Sequence, residues 1–196
     1  MRLAKIAKLV SKSGLCDVYG DEHGTGIYIG VGNAIYHVQN LPMPCAGDQM
    51  RIMLDIPTKK WEKVSCVIHA CPPPLDMAHT TSDEMLMTEY TLMTGSNYLI
   101  LVDEHSNGED KKKGKLAFVD DELLVPMRGE AKEYIGYACR FTADGCPYII
   151  IKDGMYAIAA VAPVLVDAGK VAEQLAQFQS ICLDEAERKG REGKNE

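Results

Sequence analysis

One short segment combines cysteine and histidine, the residue types that bind zinc or act as nucleophiles. Cys66, His69 and Cys71 form a C-x2-H-x-C pattern, and Cys139 and Cys146 could complete a set of ligands. The spacing matches no common zinc knuckle, and a Cys–His catalytic pair needs a spatial proximity that spacing alone does not establish. We therefore interpret these cysteines as structural and expect neither a metal nor another cofactor.

The other groups with possible chemistry form no catalytic pattern. Gly30 and Gly32 are separated by one residue, but they lie in a predicted hairpin and do not open a helix, as a nucleotide-binding loop requires. Asp120, Asp121 and Glu122 are contiguous, and we expect them to face solvent. The sequence therefore predicts a protein that is not an enzyme.

Basic residues gather on three predicted helices. In the first, Arg2–Ser13, four of them fall within about one third of the helix circumference. The second, Pro57–Ala70, groups three lysines, and the third, which begins at Met127, has two basic residues one turn apart. Such lysines often only solvate an exposed face, but their recurrence indicates a surface for a polyanion. The predicted phosphate contacts are Arg2, Lys5, Lys8, Lys12, Lys59, Lys60, Lys63, Arg128 and Lys132.

Length and composition restrict the class of protein. A chain of 196 residues can form one large or two small domains with a true core. The formal net charge of −7 argues against nucleic acid as a partner, so only a local basic surface could bind it. Seven cysteines without framework spacing indicate reduced thiols. No apolar run could span a bilayer and no secretory leader is visible, so we expect a cytoplasmic location and no membrane partner.

Residues 124–163 predict a compact unit of strand, helix and three strands. Val125 precedes a proline, which favours an extended end of a strand, and the apolar spacing from Met127 is helical. Asp153-Gly154 is a strong hairpin signal. The three strands are predicted over Tyr137–Phe141, Tyr148–Ile151 and Met155–Val161.

The same β-α-β-β-β pattern recurs earlier in the chain. Residues 1–42 repeat it without the first strand, and Tyr28 and Tyr36 have the spacing of Tyr148 and Tyr156. The alternative is an ordinary α+β protein, in which a helix followed by hairpins is common. A third, looser copy comprises a strand over Met50–Ile56, the helix Pro57–Ala70, and strands over Met85–Thr94, Asn97–Asp103 and Lys115–Val119.

Four segments of residues 49–163 resemble one domain of a DNA polymerase sliding clamp, most closely the bacterial β subunit. They are MRIMLDIPTKKWEKV, YLILVDEHSNG, ELLVPMRGEAKEYI and YIIIKDGMYAIAAVAP, and residues 1–42 resemble half of a preceding domain. The resemblance implies an α+β fold with antiparallel sheets and helices on one face. It also implies a non-enzymatic processivity factor that encircles or cradles double-stranded DNA, binds phosphates without sequence specificity and tethers a polymerase or another replication protein.

A chain with one and a half clamp domains departs from the clamp pattern. The half domain could pair with its twin, which would give a dimer, and two dimers would supply six domains. The alternative is a protein-interaction module, such as a virus-encoded inhibitor or assembly protein. Convergence of the lysines on one concave surface would favour the clamp.

The chain is expected to divide into residues 1–42, 49–163 and 167–196. The last part is predicted as a helix capped by Asp167 and followed by a charged tail, and its apolar stripe consists of Val171, Leu175, Phe178 and Cys182.

Overall fold

The computed structural model describes residues 3–21, 24, 26–78, 81, 84–91, 98–103, 116–128 and 135–163. The helices in this part of the chain are α1 (Leu3–Ser13), α2 (Gly47–Met53), α3 (Thr58–Trp61) and α4 (Asp121–Leu124). Its strands are β1 (Leu15–Gly20), β2 (Gly26–Val31), β3 (Ala34–Gln39), β4 (Ser65–His69), β5 (Met85–Thr91), β6 (Tyr98–Asp103), β7 (Leu116–Asp120), β8 (Ile135–Phe141), β9 (Pro147–Asp153) and β10 (Tyr156–Val161).

These strands form one mixed sheet in the order β4-β1-β2-β3-β10-β9-β8-β5-β6-β7. Strands β1 to β3, β5 to β7 and β8 to β10 are three antiparallel meanders of consecutive strands. Strand β4 pairs with β1 in parallel. The predicted α+β class is therefore confirmed, and so are the nine strands predicted in the three meanders. The β-α-β-β-β repeat is not confirmed, and the parallel pairing of β4 with β1 contradicts the purely antiparallel sheets that the resemblance implies.

Two tight turns set the register of the β1–β3 and β8–β10 meanders. Gly32 and Gly154 adopt positive φ angles of 57° and 62°, a conformation that costs glycine little. The β2–β3 pairing closes at Val31 and Ala34, and the β9–β10 pairing closes at Asp153 and Tyr156. The predicted hairpin turns are thus confirmed at both places.

At the centre of the sheet, a strand from the first part of the chain pairs with the last described strand. Strand β3 pairs with β10, and β4 covers the other side of the first meander at β1. All the described residues belong to one compact unit, Met1–Val164. Residues 1–42 are thus completed within the chain, and the unpaired edge from which we inferred a dimer is absent from the described strands.

The described helices pack on one face of the sheet, here called the helical face, as the resemblance implied. Alternate strand residues, among them Val18 and Ile29, are buried there against Ile6 of α1 and Met50 of α2. Leu124 of α4 joins the same core. The opposite face has a smaller core, formed by Tyr148, Ile150, Ala157, Ala160 and Met77.

The predicted secondary structure of residues 50–70 is wrong. Met50–Ile56, predicted as a strand, belongs largely to helix α2, which ends before Asp55 at a positive φ of 52°. Pro57–Ala70, predicted as a helix, contains only the short helix α3 before the chain enters β4. The apolar residues of this segment fit both periodicities, and pairing with β1 decides in favour of the strand.

The predicted strand at Leu124-Val125 is also wrong. Asp120 accepts a hydrogen bond from the backbone N–H of Glu122 at 3.0 Å and so caps helix α4. Val125 remains helical (φ −54°, ψ −38°) although Pro126 follows it, because Leu124 and Met127 are both buried on this turn. Residues 129–134, which hold most of the helix predicted from Met127, lie outside the described residues, as does the predicted C-terminal helix. Ile135 is the first residue of β8 and not part of that helix.

Candidate nucleic-acid interface

Lys5, a predicted phosphate contact, is bound within the protein. Its Nζ donates to the backbone oxygens of Val125, at 2.9 Å, and Arg128, at 2.6 Å. These carbonyls follow helix α4, where the helix leaves acceptors unsatisfied and where a positive charge is favourable. Lys5 therefore fastens α1 to the end of α4, and we expect this contact to keep it from DNA.

Two more predicted phosphate contacts bind the carboxylates of α4. Lys12 of α1 forms an ion pair with Glu122. The guanidinium of Arg128 holds Asp121 with two hydrogen bonds, Nη2 to Oδ1 at 2.5 Å and Nη1 to Oδ2 at 2.8 Å. The sequence indicated that Asp121 and Glu122 face solvent, but it gave no sign that they would neutralise basic residues of the predicted interface.

A second group of predicted contacts is available to a ligand. Lys8, Lys59, Lys60 and Lys63 are exposed, and the structure gives them no hydrogen-bond or ion-pair partner within the described chain. The turn after α3 lies beside the end of α1, because Ser65 donates its backbone N–H to the Gly14 oxygen at 2.8 Å. Lys63, which lies on this turn, is therefore beside the end of α1, and its backbone oxygen is 3.2 Å from a Cβ atom placed on Gly14. Arg2 and Lys132 lie outside the described residues.

The cysteine–histidine segment is not arranged as the C-x2-H-x-C pattern suggested. His69 Nε2 lies 2.8 Å from Oδ1 of Asp17, and the His69 ring stacks on Tyr19 with 4.5 Å between centroids. Burial raises the pKa of Tyr19, and the Asp17 and Cys71 charges add to this. Within the described residues, no group of three or more His, Cys, Asp and Glu side chains could hold a metal ion.

This histidine belongs to a row of four rings that crosses four strands. His69, Tyr19, Tyr28 and His37 are consecutive partners in the strand pairing. Tyr28 stacks on His37 with 4.7 Å between centroids, and His37 Nε2 lies 3.7 Å from Oδ2 of Asp21. Because these rings stack in two pairs, each across two neighbouring strands, they stabilise strand pairing more readily than they offer a platform for a ligand.

A buried ion cluster fixes the segment before β5 to the face opposite the helices. Arg140 donates to Oε2 of Glu84 from Nη2 at 2.5 Å and from Nε at 3.1 Å, and Lys152 donates to Oε1. Burial acts to raise the pKa of Glu84, but the hydrogen bonds from Lys152 and Arg140 outweigh it and lower this pKa. The backbone oxygen of Asp76 accepts from Arg140 and from the Tyr148 hydroxyl, both at 3.2 Å.

Comparison with protein-family models, with curated proteins and with solved structures found no match to this chain. No helix among the described residues has the length and apolar character needed to cross a membrane. The candidate interface is therefore defined by the positions of the residues alone.

Proposed function

We propose that this protein is a non-enzymatic DNA-binding protein of the sliding-clamp kind, whose helical face contacts the phosphates of duplex DNA. One observation carries the proposal: Lys8, Lys59, Lys60 and Lys63 are exposed on helices, or on the turn after one, next to the helical face. None of the four has a carboxylate partner in the described chain. As a processivity factor, the protein would tether a polymerase or another replication protein to its template.

The proposed contacts form a smaller set than the sequence predicted. Lys5, Lys12 and Arg128 hold α1 against α4, and their charge is already compensated within the protein. The four exposed lysines have no competing partner in the described chain, so they can bind a phosphate without first breaking an ion pair. In a protein of net charge −7, this local surface must overcome the repulsion between the whole molecule and DNA.

Phosphate contacts of this kind make the affinity strongly dependent on salt. Each lysine that neutralises a phosphate releases condensed counterions, and four contacts correspond to a slope of about −3.6 for log K against log salt. We expect duplexes of unrelated sequence to bind equally well, because such contacts do not read base edges.

The test compares two triple variants with the same change in net charge. Lys59→Glu/Lys60→Glu/Lys63→Glu reverses the charge at α3, and the control Lys111→Glu/Lys112→Glu/Lys113→Glu reverses the lysine run that precedes β7. Fluorescence anisotropy with a labelled duplex at about 50 mM salt should show at least about a tenfold greater loss of affinity for the α3 variant. Circular dichroism would confirm that both variants fold.

Two outcomes would contradict the proposal. Equal losses in both variants would mean that only net charge matters, and unchanged affinity in the α3 variant would remove these lysines from the interface. Lys8→Glu provides a single-residue check on α1, and it should lower the affinity and reduce the salt slope by about one.

Two exposed apolar residues favour the protein-interaction module as a second candidate. Leu15 of β1 and Val67 of the edge strand β4 are exposed, and the strand alternation places both on the face opposite the helices. An exposed strand edge with apolar neighbours can accept a further strand. If the α3 variant binds DNA as well as the wild type, this second candidate becomes the favoured function.

A further inference from the structure

Cys16 and Cys66 are direct partners in the parallel pairing of β1 with β4. Side chains at paired positions of neighbouring strands point to the same face, and both residues contribute to the core beneath the helices. Adjacent strands lie about 4.8 Å apart, which is inside the range of about 4.4–6.8 Å between the Cα atoms of disulfide-bonded cysteines. The backbone therefore holds the two thiols at a distance that a disulfide can span.

The two sulfurs differ in their access to solvent. Cys16 is fully buried, whereas Cys66 is only partly buried and lies on the edge strand. A Cβ atom placed on Gly47, the first residue of α2, would lie 3.8 Å from the Cys66 sulfur. The glycine thus leaves a small space beside this sulfur, and a reagent would reach Cys66 before Cys16.

The hydrogen bond between the two thiols shifts their pKa values in opposite directions. A hydrogen bond from the Cys16 thiol lowers the pKa of Cys66, against the opposing effects of burial and of the Asp17 carboxylate. The same hydrogen bond, together with burial, raises the pKa of Cys16. Because the thiolate is the nucleophile, Cys66 is the sulfur that attacks first.

We propose that Cys16 and Cys66 form a redox-active dithiol, which small disulfides such as oxidised glutathione convert to a cross-strand disulfide. The Cys66 thiolate attacks one sulfur of glutathione disulfide, forms a mixed disulfide and releases one glutathione thiolate. Cys16 then gives its proton to that thiolate and attacks the Cys66 sulfur, which breaks the mixed disulfide and releases the second glutathione. Two protein thiols are oxidised and one glutathione disulfide is reduced to two thiols.

The second step is aided by the first. Once Cys66 carries glutathione, its thiolate no longer accepts the Cys16 hydrogen bond, so the largest cause of the raised pKa of Cys16 is removed. The new bond would fasten the edge strand β4 to β1. This proposal does not depend on DNA binding and concerns different residues.

The remaining described cysteines provide internal controls. Cys45, Cys71 and Cys146 are exposed, and Cys139 is buried. Apart from Cys16 and Cys66, no two cysteines in the described strands are register partners. An exposed cysteine without such a register partner can form a mixed disulfide, but no paired strand in the described part of the chain holds a second thiol opposite it.

The test exposes the folded full-length protein to oxidised glutathione near neutral pH and maps the products by mass spectrometry after alkylation of free thiols. We expect a cross-linked pair of peptides that contain Cys16 and Cys66 and lack two hydrogens. Cys45→Ser should leave this product unchanged. Cys16→Ser should instead retain one glutathione on Cys66.

The wild-type map alone can overturn the proposal, even if a variant fails to fold. Glutathione found only on Cys45, Cys71 or Cys146, with Cys16 and Cys66 both alkylated after unfolding, would show that the pair is inert. A cross-link between two other cysteines in place of this one would also contradict it.

Discussion

The two faces of the sheet use the same pairing of a basic residue with a carboxylate in opposite surroundings. On the helical face, the side chains of Lys12 and Glu122 are 65% and 46% exposed. On the other face, Arg140 is 1% exposed and Glu84 is 13% exposed. An exposed pair contributes little because water screens it, whereas a buried pair cannot lose one partner without leaving a charge uncompensated.

This difference shows why charge alone does not assign a binding surface. Basic residues lie on both faces of the sheet, but Arg140 and Lys152 are paired with Glu84 in the interior. On the helical face, Lys8 and the lysines of α3 remain free in the described chain. Exposure and the lack of a partner, more than sequence position, select the residues that could meet a polyanion.

The largest effect is expected where the buried cluster loses its carboxylate. Glu84→Gln should lower the free energy of unfolding by about 3 kcal/mol, because Arg140 and Lys152 would stay buried without a counter-charge. The matched control Glu122→Gln removes the same charge from the exposed pair and should cost less than about 1 kcal/mol. Urea denaturation measures both values, and equal losses would contradict the comparison.

The buried cluster should also make stability depend on pH in a known direction. The pKa of Glu84 is lowered in the folded protein, so the unfolded chain takes up the proton first as pH falls. The contribution of Glu84 is complete above the unfolded pKa of about 4.3 and is lost as pH falls through the lower folded value. The difference in urea midpoint between wild type and Glu84→Gln should therefore be constant near neutral pH and shrink in acid.

A smaller loss of stability is expected when the hydrogen bond between strand β3 and helix α4 is removed. The buried Tyr36 donates its hydroxyl to the Leu123 oxygen at 2.7 Å, so Tyr36→Phe leaves that carbonyl without this donor. The change should cost about 1 to 2 kcal/mol. Tyr156→Phe is the control, because Tyr156 has the equivalent sequence spacing but is exposed. Thermal or urea unfolding that showed equal losses would contradict the assigned difference.

The smallest effect is expected for the exposed pair itself. A double-mutant cycle of Lys12→Gln with Glu122→Gln should give a coupling energy below about 0.5 kcal/mol, and added salt should reduce it further. Urea denaturation at two salt concentrations provides the measurement. A coupling as large as the loss in Glu84→Gln would show that the two faces do not differ in this respect.

Local signals in the sequence predicted a large part of this fold. The basic and apolar sides of α1 are visible in its helical spacing, and the turns at Gly32 and Gly154 separate strands that pair across them. Each of these features depends on residues that are close together in the chain. The structure confirms all of them.

The failures occur where distant residues decide the local structure. Cys66 lies in a segment whose apolar spacing fits a helix, and only its pairing with Cys16 makes it a strand. The partners of Lys5 and Lys12 lie far along the chain, near α4, so no helical periodicity could reveal them. The matching tyrosines also misled: Tyr36 lies two residues beyond the pair that closes its turn and is buried, whereas Tyr156 belongs to the closing pair itself and is exposed.

The pairing of β3 with β10 has a consequence for synthesis on the ribosome. The first meander emerges early, but its neighbour at the centre of the sheet is among the last described segments to be made. Until then, the backbone donors and acceptors along that side of β3 have no strand to pair with, and a nascent chain in this state can associate with another. The pairing has a high contact order, so completion of the sheet waits for nearly the whole described chain.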